Sequence, residues 1–326
     1  MTGRILPAAA LILGVFTTAA WAQGASTAIQ TVDTMNKLWG RHPGMRANHA
    51  KGVVVEGTFT PTPAAASLSR ADIFAGAVVP VTVRFSNSTG VPTLPDGAPA
   101  ANPHGMSVKF HASPTEDVDV VANSLAFFPV ATGEDFLALL QALSVSGPDA
   151  PKPTNADQFI AAHPSVPAAF GSVHTPASFA QETYNGVDAF IFVNAAGNRQ
   201  PFRFKIVPAA GTVYLPPEDA AKQAPDFLVD ELPQRLGKAP VAFEVMAQLA
   251  NPGDQTKDPS QPWPDDRKLV DMGTITLTKA VADNDAAQKA LHYLPNRLTA
   301  GIEPSDDPLI DARVRAYVIS FGRRAQ

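Results

Sequence analysis

Arg313 and Tyr317, four residues apart near the carboxyl end, carry the most pointed chemistry in the sequence. A phenol ionises near about pH 10, so tyrosine binds a metal at neutral pH only where something stabilises its phenolate. A guanidinium one turn earlier on the same helical face can do so. Asp307-Pro308 ahead of the pair offers a cap and a first-turn proline, which predicts a helix over residues 309–321. Taken alone, the spacing also fits a packed tyrosine beside a solvated arginine.

A second group lies near the amino end. Arg46-Ala-Asn-His49-Ala-Lys-Gly52 opens a strand and places an imidazole at the rim or inside of a barrel. Arg84 and Ser86 share one face of the next strand, where a hydroxyl near His49 could engage one ring nitrogen and leave the other free to take a proton. Asn123 ends a third strand, close to Phe127-Phe128 and ahead of a helix bearing Phe136. A polar amide among aromatics can orient a small polar ligand. Separately, each has a plainer reading: His49 as a packed loop histidine, Asn123 as a strand-end turn residue.

Composition removes several classes. The 326 residues include no cysteine, which excludes thiolate peroxidases, disulfides and Cys-ligated haem or zinc. A formal net charge of -5 gives no basic field, so nucleic acid is not an expected partner. Arg4, the apolar stretch from Leu6 to Ala20 and the small-x-small site Ala20-Trp21-Ala22 read as a cleaved secretory signal over residues 1–22. The expected destination is the periplasm or the exterior, without stable membrane insertion.

These groups need a scaffold, and alternation of apolar and polar residues supplies one. Strands are expected over 52–60, 81–86, 106–110, 117–123, 189–193, 201–207, 241–249 and 272–278. The third and fourth form a hairpin, and Asn194-Ala-Ala-Gly197 turns between the fifth and sixth. Short connections among about eight strands argue for an α+β chain built on a closed or nearly closed antiparallel barrel. Helices are expected over 27–39, 134–143, 156–162, 218–236 and 309–321. The proline-rich segments 148–153 and 252–264 read as surface loops, the latter crossing from barrel to tail. Residues 23–326 are expected to form one domain.

Other polar residues suggest less. His104, His111, His163, His174 and His292 lack metal-ligand spacing and are assigned surface or loop roles. Asp265-Asp266 and Asp306-Asp307 read as turn and cap residues. Trp263 and Tyr293 read as surface aromatics that could pass electrons.

In chain order, Arg46-Ala-Asn-His49-Ala-Lys-Gly52, Gly57-Thr-Phe59, Pro80-Val-Thr-Val-Arg84-Phe-Ser86, Pro103-His-Gly105-Met-Ser-Val-Lys-Phe110 and Asp119-Val-Val-Ala-Asn123 with Phe127-Phe128 resemble the haem-b catalase family. Gly301-Ile-Glu303, Arg313-Val-Arg-Ala-Tyr317 and Arg324 resemble its proximal helix. The resemblance implies a catalase-like haem-binding barrel with flanking helices. It further implies His49 as distal acid/base, Asn123 as the amide that orients peroxide, and Ser86 as the group that holds His49. Tyr317 becomes the iron ligand and Arg313 its phenolate partner. Arg46, Arg84 and Arg324 match positions that pair with haem propionates, while Phe128 and Phe136 match rings over the haem and in the distal pocket.

Departures refine the expectation. The resemblance includes no wrapping segment and no full nucleotide site, so NADPH is not expected. Asn48 replaces a branched apolar residue that narrows the approach to iron, and Val318 stands where proline follows the ligand. A wider channel favours the small exported catalase-related peroxidases, which use hydrogen peroxide and possible organic hydroperoxides with small organic donors and have minor catalase activity. A monomer or homodimer is expected. The competing readings are a true catalase, a rearrangement enzyme for fatty hydroperoxides, a non-catalytic periplasmic haem-binding protein and a barrel without haem.

Overall fold

The computed structural model of the protein describes residues 12–324, with side chains from residue 23 onward. Its strands are β1 (Gly52–Pro61), β2 (Val79–Ser86), β3 (Gly105–Ser113), β4 (Glu116–Asn123) and β5 (Tyr184–Asn185). They continue with β6 (Phe190–Val193), β7 (Arg199–Pro208), β8 (Val241–Leu249), β9 (Leu269–Ala280) and β10 (Ile302–Pro304). The helices are α1 (Ile12–Trp39), α2 (Pro63–Leu68), α3 (Gly133–Ser144), α4 (Asn155–Ala162) and α5 (Ser165–Gly171). Then follow α6 (Pro217–Ala220), α7 (Phe227–Leu236), α8 (Asn284–Ala290) and α9 (Pro308–Arg324).

The antiparallel ladders run in the order β10-β6-β7-β5-β4-β3-β2-β1-β9-β8, and β8 pairs back onto β7. That last ladder closes a barrel of eight strands, with β6 and β10 extending from β7. Closure removes the exposed edges that an open sheet of this size would present.

Strand alternation separates two environments. Val83 and Phe85 of β2, Met106 and Val108 of β3, and Val120 and Ala122 of β4 join one apolar cluster. Phe85 meets Phe243 at 5.8 Å, although β2 and β8 are not neighbours, and Phe59 of β1 meets Phe110 of β3 at 5.1 Å. Contacts across the ring identify this face as the barrel interior. Full burial of each phenylalanine stabilises the fold by roughly 1.5–3 kcal/mol. The intervening residues Arg84, Ser86, Ser107, Val121 and Asn123 therefore belong to the outer wall.

Helices α1, α3 and α9 pack together beside that wall. Gly133 permits close contact between α3 and α9: a β-carbon there would stand 2.6 Å from Ala312 Cβ. Asp307 Oδ1 accepts the Leu309 N–H at 2.8 Å, so the expected cap forms at the start of α9. The expected 117–123 and 106–110 hairpin is also present as β3–β4, and residues 194–197 turn between β6 and β7.

Several sequence expectations require correction. Residues 218–236 do not form one helix, because Pro225 lies between α6 and α7; proline supplies no amide hydrogen and disfavours helix at the residue before it. Helix α1 begins well before residue 27 and ends where Gly40 adopts φ 84°. The segment 252–264 joins neighbouring strands β8 and β9, not barrel and tail. Arg4 and the start of the expected signal at Leu6 lie outside the described residues. No helix among the described residues is long and apolar enough to cross a membrane.

Candidate functional site

Four ladder pairings build the barrel side of the site. Gly52 pairs with Ser86, Ser86 with Gly105, Gly105 with Asn123, and Asn123 with Asn185, forming one row across five strands. Ser86 is 3% exposed and places Oγ 3.1 Å from His49 Nδ1. Gly105 leaves the necessary space, because a β-carbon there would approach Ser86 Oγ to 2.8 Å and His49 Nδ1 to 3.2 Å. This row consists of strand ends, so His49 stands at the rim of the barrel, one of its two expected places, and not inside it: it lies on the outer-wall side, since aromatic side chains fill the interior.

His49 has φ 56°, an uncommon conformation for a residue with a β-carbon. Asn48 Oδ1 accepts its amide hydrogen at 3.0 Å, while Arg84 Nη2 donates to its carbonyl at 2.8 Å. These bonds hold the local backbone that presents the ring. Burial and then the Arg84 charge lower the His49 pKa to about 3; a hydrogen bond with the Asn87 backbone acts in the opposite direction. The imidazole is thus a neutral group at ordinary pH.

Asn123 is oriented through its neighbours. Its Oδ1 accepts from Leu125 N–H at 2.9 Å, and Asn185 Nδ2 donates to Leu125 O at 3.1 Å. This arrangement leaves the Asn123 amide nitrogen available to donate at the cavity wall. Phe128 and Phe136 also line the cavity, with ring centroids 5.3 Å apart. The Phe128 backbone N–H donates to Pro259 O at 2.9 Å, so the β8–β9 loop helps fix this aromatic side.

The opposite chemical group comes from α9. Arg313 Nε donates to Tyr317 Oη at 3.2 Å, and Arg313 Nη1 makes a short contact with Asp188 Oδ2. Burial disfavours the Arg313 charge, but Asp188 and Tyr317 more than offset it and hold its pKa above the ordinary value. Asp188, just before β6, was missed by sequence reasoning. Its role depends on folding across 125 residues of sequence separation, so no local spacing signals it.

Arg46, Arg84 and Arg324 gather along the same cavity. Arg46 donates to Gln288 O and Leu291 O at 3.0 and 2.9 Å, and Arg324 also donates to Leu291 O at 2.8 Å. Arg84 engages Gln288 Oε1 through Nε and Nη2 at 3.0 and 2.8 Å. Their side-chain hydrogen bonds end on carbonyl or amide oxygens, while Arg324 Nε is buried without a partner among the described residues. Burial followed by Arg84 and Arg324 lowers the Arg46 pKa; burial lowers Arg84 to about 9 and Arg324 to about 10. Three mutually repelling cations favour an anion at this end.

The cavity measures about 340 Å³ and is lined by His49, Asn123, Arg313 and Tyr317 as well as the three arginines. Its donor set fits a dicarboxylate porphyrin: an arginine-supported phenol for iron, guanidiniums that have no carboxylate partner among the described residues for the carboxylates, and apolar walls for the macrocycle. All proposed site residues therefore meet at one cavity. His292, in the loop after α8 as one of its expected roles, also lines the cavity, while His104, in the loop before β3, is fully buried near Glu182 and not at the surface. Trp263 and Tyr293 are each 6% exposed, so they are buried and not the surface aromatics expected.

The family model described as Catalase matches residues 26–324. A catalase-related peroxidase from Mycolicibacterium paratuberculosis is 37% identical over 305 residues, covering 92% of this chain and 96% of the relative. Another from Synechococcus elongatus is 32% identical, with 91% and 88% coverage, respectively. A solved bacterial catalase gives a TM-score of 0.74 at 20% identity, covering 99% of this chain and 62% of that chain. That structural likeness supports the fold.

Proposed function

The chain belongs to the catalase family, and we propose that it is a haem peroxidase that reduces hydrogen peroxide with an organic electron donor. The observation that carries this reading is the shared cavity: His49, Ser86 and Asn123 come from the barrel side, whereas Arg313 and Tyr317 come from α9. The proposed cofactor is haem b. Tyr317 would hold its iron, Arg313 would favour the phenolate, and Arg46, Arg84 and Arg324 would receive its carboxylates. Bound there, haem supplies the redox chemistry for peroxide reduction.

The protein residues provide the accompanying proton chemistry. Ser86 orients His49 through Nδ1, leaving Nε2 to take a proton from one peroxide oxygen and return it to the other. Protonation of the departing oxygen permits it to leave as water. Asn123 can donate to peroxide and restrict its orientation. The low His49 pKa is compatible with its starting as the neutral proton acceptor.

Asn48 supports access by small organic donors because it presents a polar residue where the resembling family has a branched apolar one. The sequence also supports export after cleavage at Ala22, with residues 23–326 forming the mature domain. A direct test compares donor oxidation and oxygen release at equal peroxide concentration. Predominant donor oxidation is expected; predominant oxygen release would instead assign the chain to dismutation.

A further inference from the structure

We propose that His292 is a fourth hydrogen-bond donor to the haem carboxylates, completing the binding set of Arg46, Arg84 and Arg324. This inference rests on the haem reading. His292 lines the cavity, and its Nε2 is buried without a hydrogen-bond partner among the described residues. The residue immediately before it, Leu291, presents the carbonyl held by both Arg46 and Arg324. Thus the two cations fix the backbone from which this imidazole projects.

The ring itself is also constrained. It stacks on Phe321 at 4.6 Å with an interplanar angle of 3°, while the Arg324 guanidinium lies 4.8 Å from the Phe321 centroid. Phe321 follows Tyr317 by one helical turn, so the same helix connects this corner to the proposed iron ligand. Burial is the largest influence lowering the His292 pKa to about 4, followed by Arg297, Arg324, Arg46 and Lys109. A neutral imidazole retains one N–H donor, and a carboxylate entering this corner would supply its missing partner. The nearby Asp119 is already engaged by Lys109, Arg297 and the Leu294 amide. An incoming anion therefore need not displace a described His292–carboxylate bond.

Full-chain wild type, His292→Phe and His292→Gln should be loaded with haem and, separately, haem dimethyl ester. Transfer to excess apomyoglobin then reports dissociation. Phenylalanine preserves an aromatic surface against Phe321 but removes the donor, whereas glutamine preserves a donor. His292→Phe should release haem about 10-fold faster, as expected for loss of a charge-assisted hydrogen bond, and His292→Gln should restore part of the retention. The difference should disappear with the diester, which cannot present anionic carboxylates. Equal haem release by wild type and His292→Phe would overturn the proposal, as would equal acceleration for both porphyrins. Failure of wild type to bind either porphyrin would reject the underlying haem reading itself; if phenylalanine prevents folding, failure of His292→Gln to distinguish haem from its diester as wild type does would reject donor recognition.

Discussion

Gly105 and Ser86 are ladder partners, and the absent side chain at Gly105 leaves the space in which Ser86 meets His49. Gly105→Ala is expected to displace this pair because its β-carbon would stand 2.8 Å from Ser86 Oγ and 3.2 Å from His49 Nδ1. Peroxide reduction should fall by about 10- to 100-fold through loss of alignment. Rapid-mixing kinetics, with haem content measured alongside, check this outcome; an unchanged peroxide rate would contradict the spatial requirement.

Removing the proton-transfer group itself should have a larger effect. His49→Gln is expected to reduce the peroxide-dependent rate by roughly 10²- to 10⁴-fold, whereas Ser86→Ala should cost about 10-fold by loosening the ring. The comparison is made in single-turnover experiments at matched haem occupancy. Equal effects would argue against distinct roles, and normal turnover of His49→Gln would rule out the proposed proton pathway.

Asp188 should matter for Tyr317 through Arg313, whose guanidinium bonds to both. Asp188→Ala leaves a buried guanidinium without its principal carboxylate and is expected to destabilise the folded protein by about 3 kcal/mol. Asp307 offsets part of that loss: burial and the neighbouring Asp188 charge raise its pKa to about 7, so removal of Asp188 favours its ionisation. Denaturant titrations of the haem-free protein test this expectation. No stability change would show that Asp188 does not anchor Arg313 energetically.

The low His49 pKa predicts a specific acid dependence. Its unfolded imidazole has a reference value of 6.5, whereas the folded value is about 3. Between these values the unfolded state binds the additional proton, so this histidine lowers folding stability as pH falls from about 6.5 towards 3. Asp307 acts oppositely: its raised pKa gives the folded state extra proton binding between 3.8 and about 7. Comparing haem-free wild type with His49→Gln isolates the former contribution. The variant should lose less stability on acidification; an identical pH profile would contradict the inferred linkage.

Sequence periodicity made most barrel strands legible because alternating side chains face chemically different surroundings. The Arg313–Tyr317 spacing points to a phenolate ligand, and the resemblance to the haem-b catalase family, not periodicity, implies the distal and proximal candidates. The ladder then explains why Ser86 and Asn123 converge, while Gly105 explains how His49 fits beside them. Their location on the outer wall was less legible: alternation gives two faces but does not say which one closes inward. Asp188 and His292 were missed because their relationships arise from packing distant elements, not from local spacing. Conversely, Pro225 gave a local reason to divide the expected 218–236 helix.

The ferric absorption spectra of purified wild type and Tyr317→Phe at equal protein concentration test the central claim most directly, with extracted porphyrin measured in each sample. Wild type is expected to contain haem and show a high-spin phenolate-ligated spectrum; the phenylalanine variant should lose haem or show a changed iron spectrum. Equal haem content and indistinguishable spectra would contradict Tyr317 as the iron ligand.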